Sequence, residues 1–188
     1  MQERKMIILS APSGSGKSTI IHYLLQKGFP LEFSVSATTR APRGTEQNGV
    51  EYYFYSVDEF KQKIQNGEFV EYEEVYENRF YGTLKVECER IWSKGNVIVF
   101  DVDVAGGLRL KSLFGDKALA LFIRVSSIEE LRKRLMGRNT ESADEIQKRL
   151  DKAAYEMQFA EKFDAIVTND DLTKACKEAE GLLTEFLK

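Results

Sequence analysis

The chain has 188 residues, 43% hydrophobic and 30% charged, with a formal net charge of −3. That length supports one substantial core, or a core with small inserts, and the slightly acidic balance disfavours nucleic acid as a bulk ligand. Two cysteines at no metal-ligand spacing and a single histidine exclude a Cys/His zinc site. The one histidine, His22, falls in a helix and reads as a surface or packing residue. No apolar run approaches the ~18 residues of a membrane span, and no signal-peptide core opens the chain. The expectation is a soluble, cytoplasmic protein with no membrane partner.

In chain order, Met6-Ile7-Ile8-Leu9 is a short apolar strand, and Thr19 to Leu25 suits an amphipathic helix. Between them lie Ala11, Pro12, Ser13, Gly14, Ser15, Gly16, Lys17 and Ser18. Buried strand, Gly/Ser-rich loop and helix form the context of a phosphate-binding P-loop. The loop's backbone N–H groups cradle phosphate oxygens at a helix N-terminus. Lys17 reaches the β/γ-phosphates of a nucleotide, and the Ser18 hydroxyl completes the shell of a Mg²⁺ ion. Ala11 stands where the strict pattern has Gly. A turn joining any strand to any helix is the bland alternative, disfavoured because Gly-Lys-Ser opens a helix straight after an apolar strand.

Gly28 and Pro30 close the first helix. Phe33 to Ala37 alternates like a strand and runs into a polar loop to Gly49, after which Val50 to Tyr55 reads as a second strand. Ser56 to Glu59 has capping-box spacing for a helix ending at Gly67. Phe69 to Tyr76 alternates again, with Glu71 and Glu73 on one face. A helical stripe of Leu84, Cys88, Ile91 and Trp92 stops at Gly95, and Val97 to Phe100 is a continuous apolar strand ending in Asp101-Val102-Asp103. Such runs indicate strands buried on both faces, as in parallel sheets. Ala118 to Val125 is another. Capping boxes at Ser127–Glu130 and Ser142–Glu145 open helices near 128–137 and 143–161. Ala165 to Thr168 reads as the last strand and Leu172 to Leu187 as the last helix. The pattern predicts an α/β fold with a doubly wound parallel sheet and its ligand at the carboxyl ends of the strands.

The loop Ser36-Ala37-Thr38-Thr39-Arg40-Ala41-Pro42-Arg43, followed by Asn48-Gly49 and Tyr52-Tyr53-Phe54, closely resembles the nucleotide-acceptor motif of guanylate kinases. The likeness continues through Phe69-Val70-Glu71, Phe80-Tyr81-Gly82-Thr83, Asp101-Val102-Asp103, Gly137-Arg138-Asn139-Thr140, Lys148-Arg149-Leu150 and Thr168-Asn169-Asp170-Asp171. These blocks keep the family's order across essentially the whole chain. The resemblance implies a P-loop core (residues 1–33, 84–126 and 155–188), a β-rich GMP-binding insert (34–83) and a helical lid (127–154). It also implies transfer of the γ-phosphoryl group of ATP to GMP.

For the ATP site the resemblance implies Ala11 to Thr19 together with Asn169, which matches a residue near the base. It gives Asp101 as a Mg²⁺ partner acting through water. For the GMP phosphate it implies Arg40, Arg43, Tyr52 and Tyr81, and guanidinium forks do suit such a dianion. The resemblance also places Glu71 and Asp103 against the guanine donor edge, with Ser36 and Thr83 near O6 beside Gly82. Adenine would leave these groups unpaired, at about 1–3 kcal/mol for each buried one. Arg138 and Arg149 match lid arginines that, with Lys17 and Arg43, neutralise the transferring phosphoryl. Asn139 stands where many members have Gly. The residues leave GMP and dGMP both open as acceptors, and the assembly is expected to be a monomer or weak homo-oligomer. A non-catalytic guanylate-kinase-like interaction domain is the rival reading. Such domains commonly have degraded P-loops, whereas Lys17, Ser18 and both lid arginines stand here.

Overall fold

A computed structural model of the protein describes residues 4–137 and 143–188. In chain order its elements begin β1 (Met6–Ser10), α1 (Lys17–Leu25), β2 (Leu31–Phe33), β3 (Ser36–Thr38), β4 (Tyr52–Phe54), α2 (Val57–Gln65), β5 (Phe69–Tyr76) and β6 (Arg79–Leu84). They continue with α3 (Lys85–Ser93), β7 (Val97–Asp101), α4 (Val104–Phe114), β8 (Ala118–Arg124), α5 (Ile128–Met136), α6 (Ala143–Met157), β9 (Ala165–Thr168) and α7 (Leu172–Leu187). The chain divides into two compact units. One comprises Glu32–Ile98 with the N-terminal residues up to Lys5, the other Met6–Leu31 and Val99–Lys188.

The second unit is built on a parallel sheet. All five residues of β1 are buried, which accounts for its lack of alternation: both faces are covered. β8 runs parallel to β1 with Met6 opposite Ala118 and Ser10 opposite Phe122. β9 is parallel to β8 in turn, from Leu121 opposite Ala165 to Arg124 opposite Thr168. Within this unit the strand order is β7-β1-β8-β9, with β7 represented by its last residues. Parallel neighbours need crossovers, which the helices provide. Ile7, Leu9, Ile20, Leu24, Leu121 and Val167 join Ala175, Ala179 and Leu183 of α7 in one core cluster. A separate cluster of Leu131, Leu135, Ile146 and Leu150 ties α5 to α6.

In the other unit four strands take the order β4-β3-β6-β5. β5 and β6 form an antiparallel hairpin, with Glu71 opposite Thr83 and Tyr72 opposite Gly82. Asn78 takes the left-handed conformation (φ 57°) at its turn, a role that suits Asn. Phe60 of α2 stacks on Phe69 at 4.4 Å and Phe80 at 5.4 Å, the centre of this unit's core.

Two features differ from the sequence-based expectations. The strand expected over 33–37 is two strands, broken at Ser34 and Val35, because the Val35 N–H donates to the buried Glu87 carboxylate at 3.0 Å. Helix α4 has no counterpart in the pattern, since adjacent Gly106 and Gly107 lower its propensity. Tertiary packing explains Gly107. A Cβ on Gly107 would collide with Ser10 Oγ and lie 3.2 Å from Phe163 Cε1. Among the described residues no helix is long and apolar enough to cross a membrane.

Candidate active site

At the C-terminal end of β1 the chain turns through the P-loop into α1. Gly14 and Gly16 both have positive φ, 94° and 88°, conformations that a Cβ strongly disfavours. Ala11 has no such φ. It sits 9% exposed within the core cluster, so the glycine of the strict pattern is not needed there. The loop closes on itself through Ser15 N–H to Pro12 O at 3.1 Å, and α1 begins with Ile20 N–H to Gly16 O at 3.2 Å.

A cavity of about 450 Å³ opens over this loop, lined by Ala11 to Thr19, by Asp101, Val102 and Asp103, and by α6 residues Arg149, Lys152 and Glu156. Lys17 forms an ion pair with Asp101 and donates to Val102 O at 3.2 Å. Arg149 reaches from α6 to the loop, donating to Ser13 Oγ at 2.6 Å. Residues expected at the ATP site and one of the expected lid arginines therefore line a single cavity. Arg138, the other lid arginine, lies outside the described residues, as do Asn139, Thr140 and Ser142.

Asp103 also lies on this cavity. Its carboxylate caps α4 by accepting from Gly106 N–H at 2.8 Å, and its carbonyl accepts from Ser10 Oγ at 3.0 Å. That is a different setting from the other residues expected around GMP, which belong to the other unit. Glu156, absent from the sequence reading, is 7% exposed. Burial raises its pKa against the opposing pull of Lys152, its ion-pair partner at 3.6 Å. An i, i+4 Lys/Glu pair on an amphipathic helix carries no sign in sequence that its acid faces a cavity.

The acceptor motif is organised by two buried acids and one half-buried one. Thr83 Oγ1, on β6, donates to Glu71 Oε1, on β5, at 2.9 Å. Both residues are buried, Thr83 at 0% and Glu71 at 7% exposed. Gly82 permits the approach of these strands, because a Cβ there would lie 2.7 Å from Glu71 O. Arg40 is likewise buried. Its guanidinium makes two hydrogen bonds to the Glu46 carboxylate, at 2.8 and 3.0 Å, and stands over the Tyr52 ring at 5.1 Å. Tyr52 in turn meets Tyr81 edge-on, with centroids 6.1 Å apart. Arg40, Tyr52 and Tyr81 thus form one cluster. Glu46 holds Arg40's pKa above its ordinary value and also accepts from the Arg43 N–H at 2.7 Å. Arg43 itself is exposed, and its guanidinium makes no ion pair with a described residue.

Ser36 lies opposite Tyr52 in the parallel β3–β4 pairing. Behind that pair sits Glu87, 1% exposed, which accepts from Val35 N–H, from Tyr53 Oη at 3.1 Å and from Arg90. Burial opposes its ionisation, yet Arg90 and the Val35 N–H outweigh burial and hold its pKa low. Within the acceptor unit, Glu46 and Glu87 are residues that sequence reasoning missed. Glu87 lies in α3 beside the apolar stripe, but only the tertiary structure reveals that it holds Val35, Tyr53 and Arg90.

For a cation, the chemistry of the donors decides. The Ser18 hydroxyl and the Asp101 carboxylate are both oxygen ligands, fitting a hard ion such as Mg²⁺. Among the described residues no group of three or more His, Cys, Asp or Glu is arranged to hold a metal.

A P-loop at the C-terminal edge of a parallel sheet, with basic side chains converging on its cavity, defines the class of P-loop nucleotide-binding proteins. The guanylate kinase family model matches residues 3–186, and the chain belongs to the guanylate kinase family. It is 56% identical over 185 residues to a guanylate kinase of Bacteroides fragilis, covering 98% of this chain and 91% of that one. With a guanylate kinase of Porphyromonas gingivalis the identity is 52%, covering 97% and 98%. The crystal structure of guanylate kinase from Anaplasma phagocytophilum superposes with a TM-score of 0.77 at 30% identity, covering 100% of this chain and 89% of that one.

Proposed function

We propose that the protein is an ATP:GMP phosphotransferase, moving the γ-phosphoryl group of ATP to GMP and releasing ADP and GDP. The observation that carries this reading is the convergence of Lys17, Asp101 and Arg149 on one P-loop cavity, in a chain of the guanylate kinase family. The loop's N–H groups and Lys17 take the donor's phosphates. Entering phosphates compete with Asp101 for Lys17 and so free its carboxylate. Ser18 and Asp101, the latter through water, would hold Mg²⁺, which when bound neutralises charge on the β/γ-phosphates.

GMP, or dGMP, is the acceptor. Arg40, Arg43, Tyr52 and Tyr81 bind its phosphate, Glu71 and Asp103 accept from guanine N1–H and N2–H₂, and Ser36 and Thr83 lie at O6 beside Gly82. The acceptor phosphate is already largely ionised near neutral pH, since its second pKa is about 6, so no protein general base is required. What remains is alignment and charge neutralisation by Lys17, Arg43, Arg138 and Arg149. The enzyme works in the cytoplasm as a monomer or weak homo-oligomer.

The test is a coupled ADP-release assay with Mg-ATP and GMP, AMP, CMP or UMP. Turnover with GMP far above the others supports both the reaction and the guanine pocket. Turnover with another acceptor keeps the transfer chemistry and discards the base contacts. Folded protein with no turnover on any acceptor points to the interaction-domain reading.

A further inference from the structure

We propose that Asn169 is a positioning residue of the P-loop, acting on ATP binding through Ser15 and Gly16 rather than through the base. This rests on the reading of the P-loop cavity as the donor's phosphate site. Asn169 follows β9 and is 3% exposed. Its own N–H donates to Arg124 O at 2.7 Å, so its backbone is anchored to the end of β8. From that fixed point its Nδ2 donates to Ser15 O at 2.7 Å, a buried bond.

The peptide joining Ser15 to Gly16 leads into a residue with no Cβ to fix its orientation. Gly16 has φ 88°, and glycine tolerates many conformations, so nothing local prevents this peptide from flipping. In a planar trans peptide the C=O and the next N–H point in opposite directions. With Ser15 O held by Asn169, the Gly16 N–H must point away from Asn169, and Gly16 lines the cavity. A flipped peptide would instead turn a carbonyl oxygen toward the anion. Ser15 has no other side-chain anchor, since its buried Oγ makes no hydrogen bond. The amide also occupies the space a Cβ on Gly16 would need, because such an atom would collide with Nδ2. One side chain therefore sets the direction of this peptide and adds a steric bar to the glycine that its φ already requires.

Tripolyphosphate, which has no base, separates this role from a base contact. Binding of Mg-tripolyphosphate and of Mg-ATP is measured by calorimetry for the wild type, Asn169→Asp and Asn169→Ala, with GMP binding as the check on folding. Asp keeps the size but sets an oxygen against Ser15 O. Losing the clamp should weaken both ligands by similar factors, about tenfold or more for a buried hydrogen bond. Weaker ATP binding with unchanged tripolyphosphate binding would assign Asn169 to the base and overturn the proposal, as would no change in either. A wild type that binds neither would overturn the phosphate-site reading itself. Should both variants lose GMP binding as well, the wild type still decides. The clamp requires the Asn169 side-chain amide protons to be protected from exchange in nucleotide-free protein, and fast exchange refutes it.

Discussion

Replacing Thr83 with Val tests the best-defined polar contact of the acceptor unit. Valine matches threonine in shape, so the change opens no cavity; it removes the hydroxyl that donates to Glu71 Oε1 at 2.9 Å. Thr83 is fully buried and Glu71 nearly so, which leaves water little access to replace the donor. A hydrogen bond to a charged group contributes about 1.5–3 kcal/mol. For a chain of this size each kcal/mol shifts Tm by roughly 2–4 °C, so Thr83→Val should melt roughly 3–12 °C lower. If Glu71 reads the guanine edge, the same change should raise KM for GMP at least severalfold while KM for ATP stays put. A double-mutant cycle with Glu71→Gln isolates the pair: the two effects should fall short of additive by roughly 1 kcal/mol, as for residues in direct contact. Melting and KM for GMP both unchanged in Thr83→Val would refute the reasoning.

Arg149→Ala should lower kcat by orders of magnitude with a smaller change in KM for GMP, because a charge that meets the transferring phosphoryl counts most in the transition state; steady-state kinetics check this. Gly107→Ala should destabilise the protein by about 1–3 kcal/mol in urea unfolding, since the added methyl overpacks α4 against Ser10 and Phe163. The raised pKa of Glu156, caused by its burial, makes its contribution to stability greatest below pH 4.5, the ordinary value. That contribution is lost as pH rises through the folded-state pKa. Glu156→Gln should therefore gain in Tm over the wild type as pH climbs from 4.5 to 7, and parallel melting curves across that range would count against the burial argument. Glu32 runs the other way. Its burial is outweighed by Lys94, Arg90 and Asn96, which pull its pKa to about 2, so it stabilises above pH 4.5 and fails between there and pH 2. Glu32→Gln should flatten the acid limb of the unfolding curve.

What the sequence determined by itself is local. The P-loop was legible because strand, glycine turn and helix follow one another within twenty residues, and phosphate binding needs only that order. The capping box at Ser56 was legible for the same reason: Glu59 N–H donates to Ser56 Oγ and Glu59 Oε2 accepts from Ser56 N–H, a bond pattern closed within four residues. At Ser127 only half of the expected box forms, because Glu130 turns to Arg134 at 3.0 Å instead. The ordered family blocks carried the fold class and the family.

Tertiary structure decided the rest, wherever a residue's role depends on a partner far along the chain. Gly107 looks like a helix breaker until Ser10 and Phe163 are seen against α4. Val35 leaves its strand because Glu87, fifty-two positions later, accepts its N–H. Arg40 is buried by an acid and an aromatic cluster that its own loop and strand β4 bring back to it. That the Asp103 carboxylate also caps α4, at the P-loop cavity, is visible only once α4 has formed. Asn169 reaches Ser15, 154 positions earlier, only because parallel pairing sets β9 beside β8 and β8 beside β1. Hydrophobic periodicity and caps act over a turn or two of chain, whereas register and close packing are fixed only when the sheet forms.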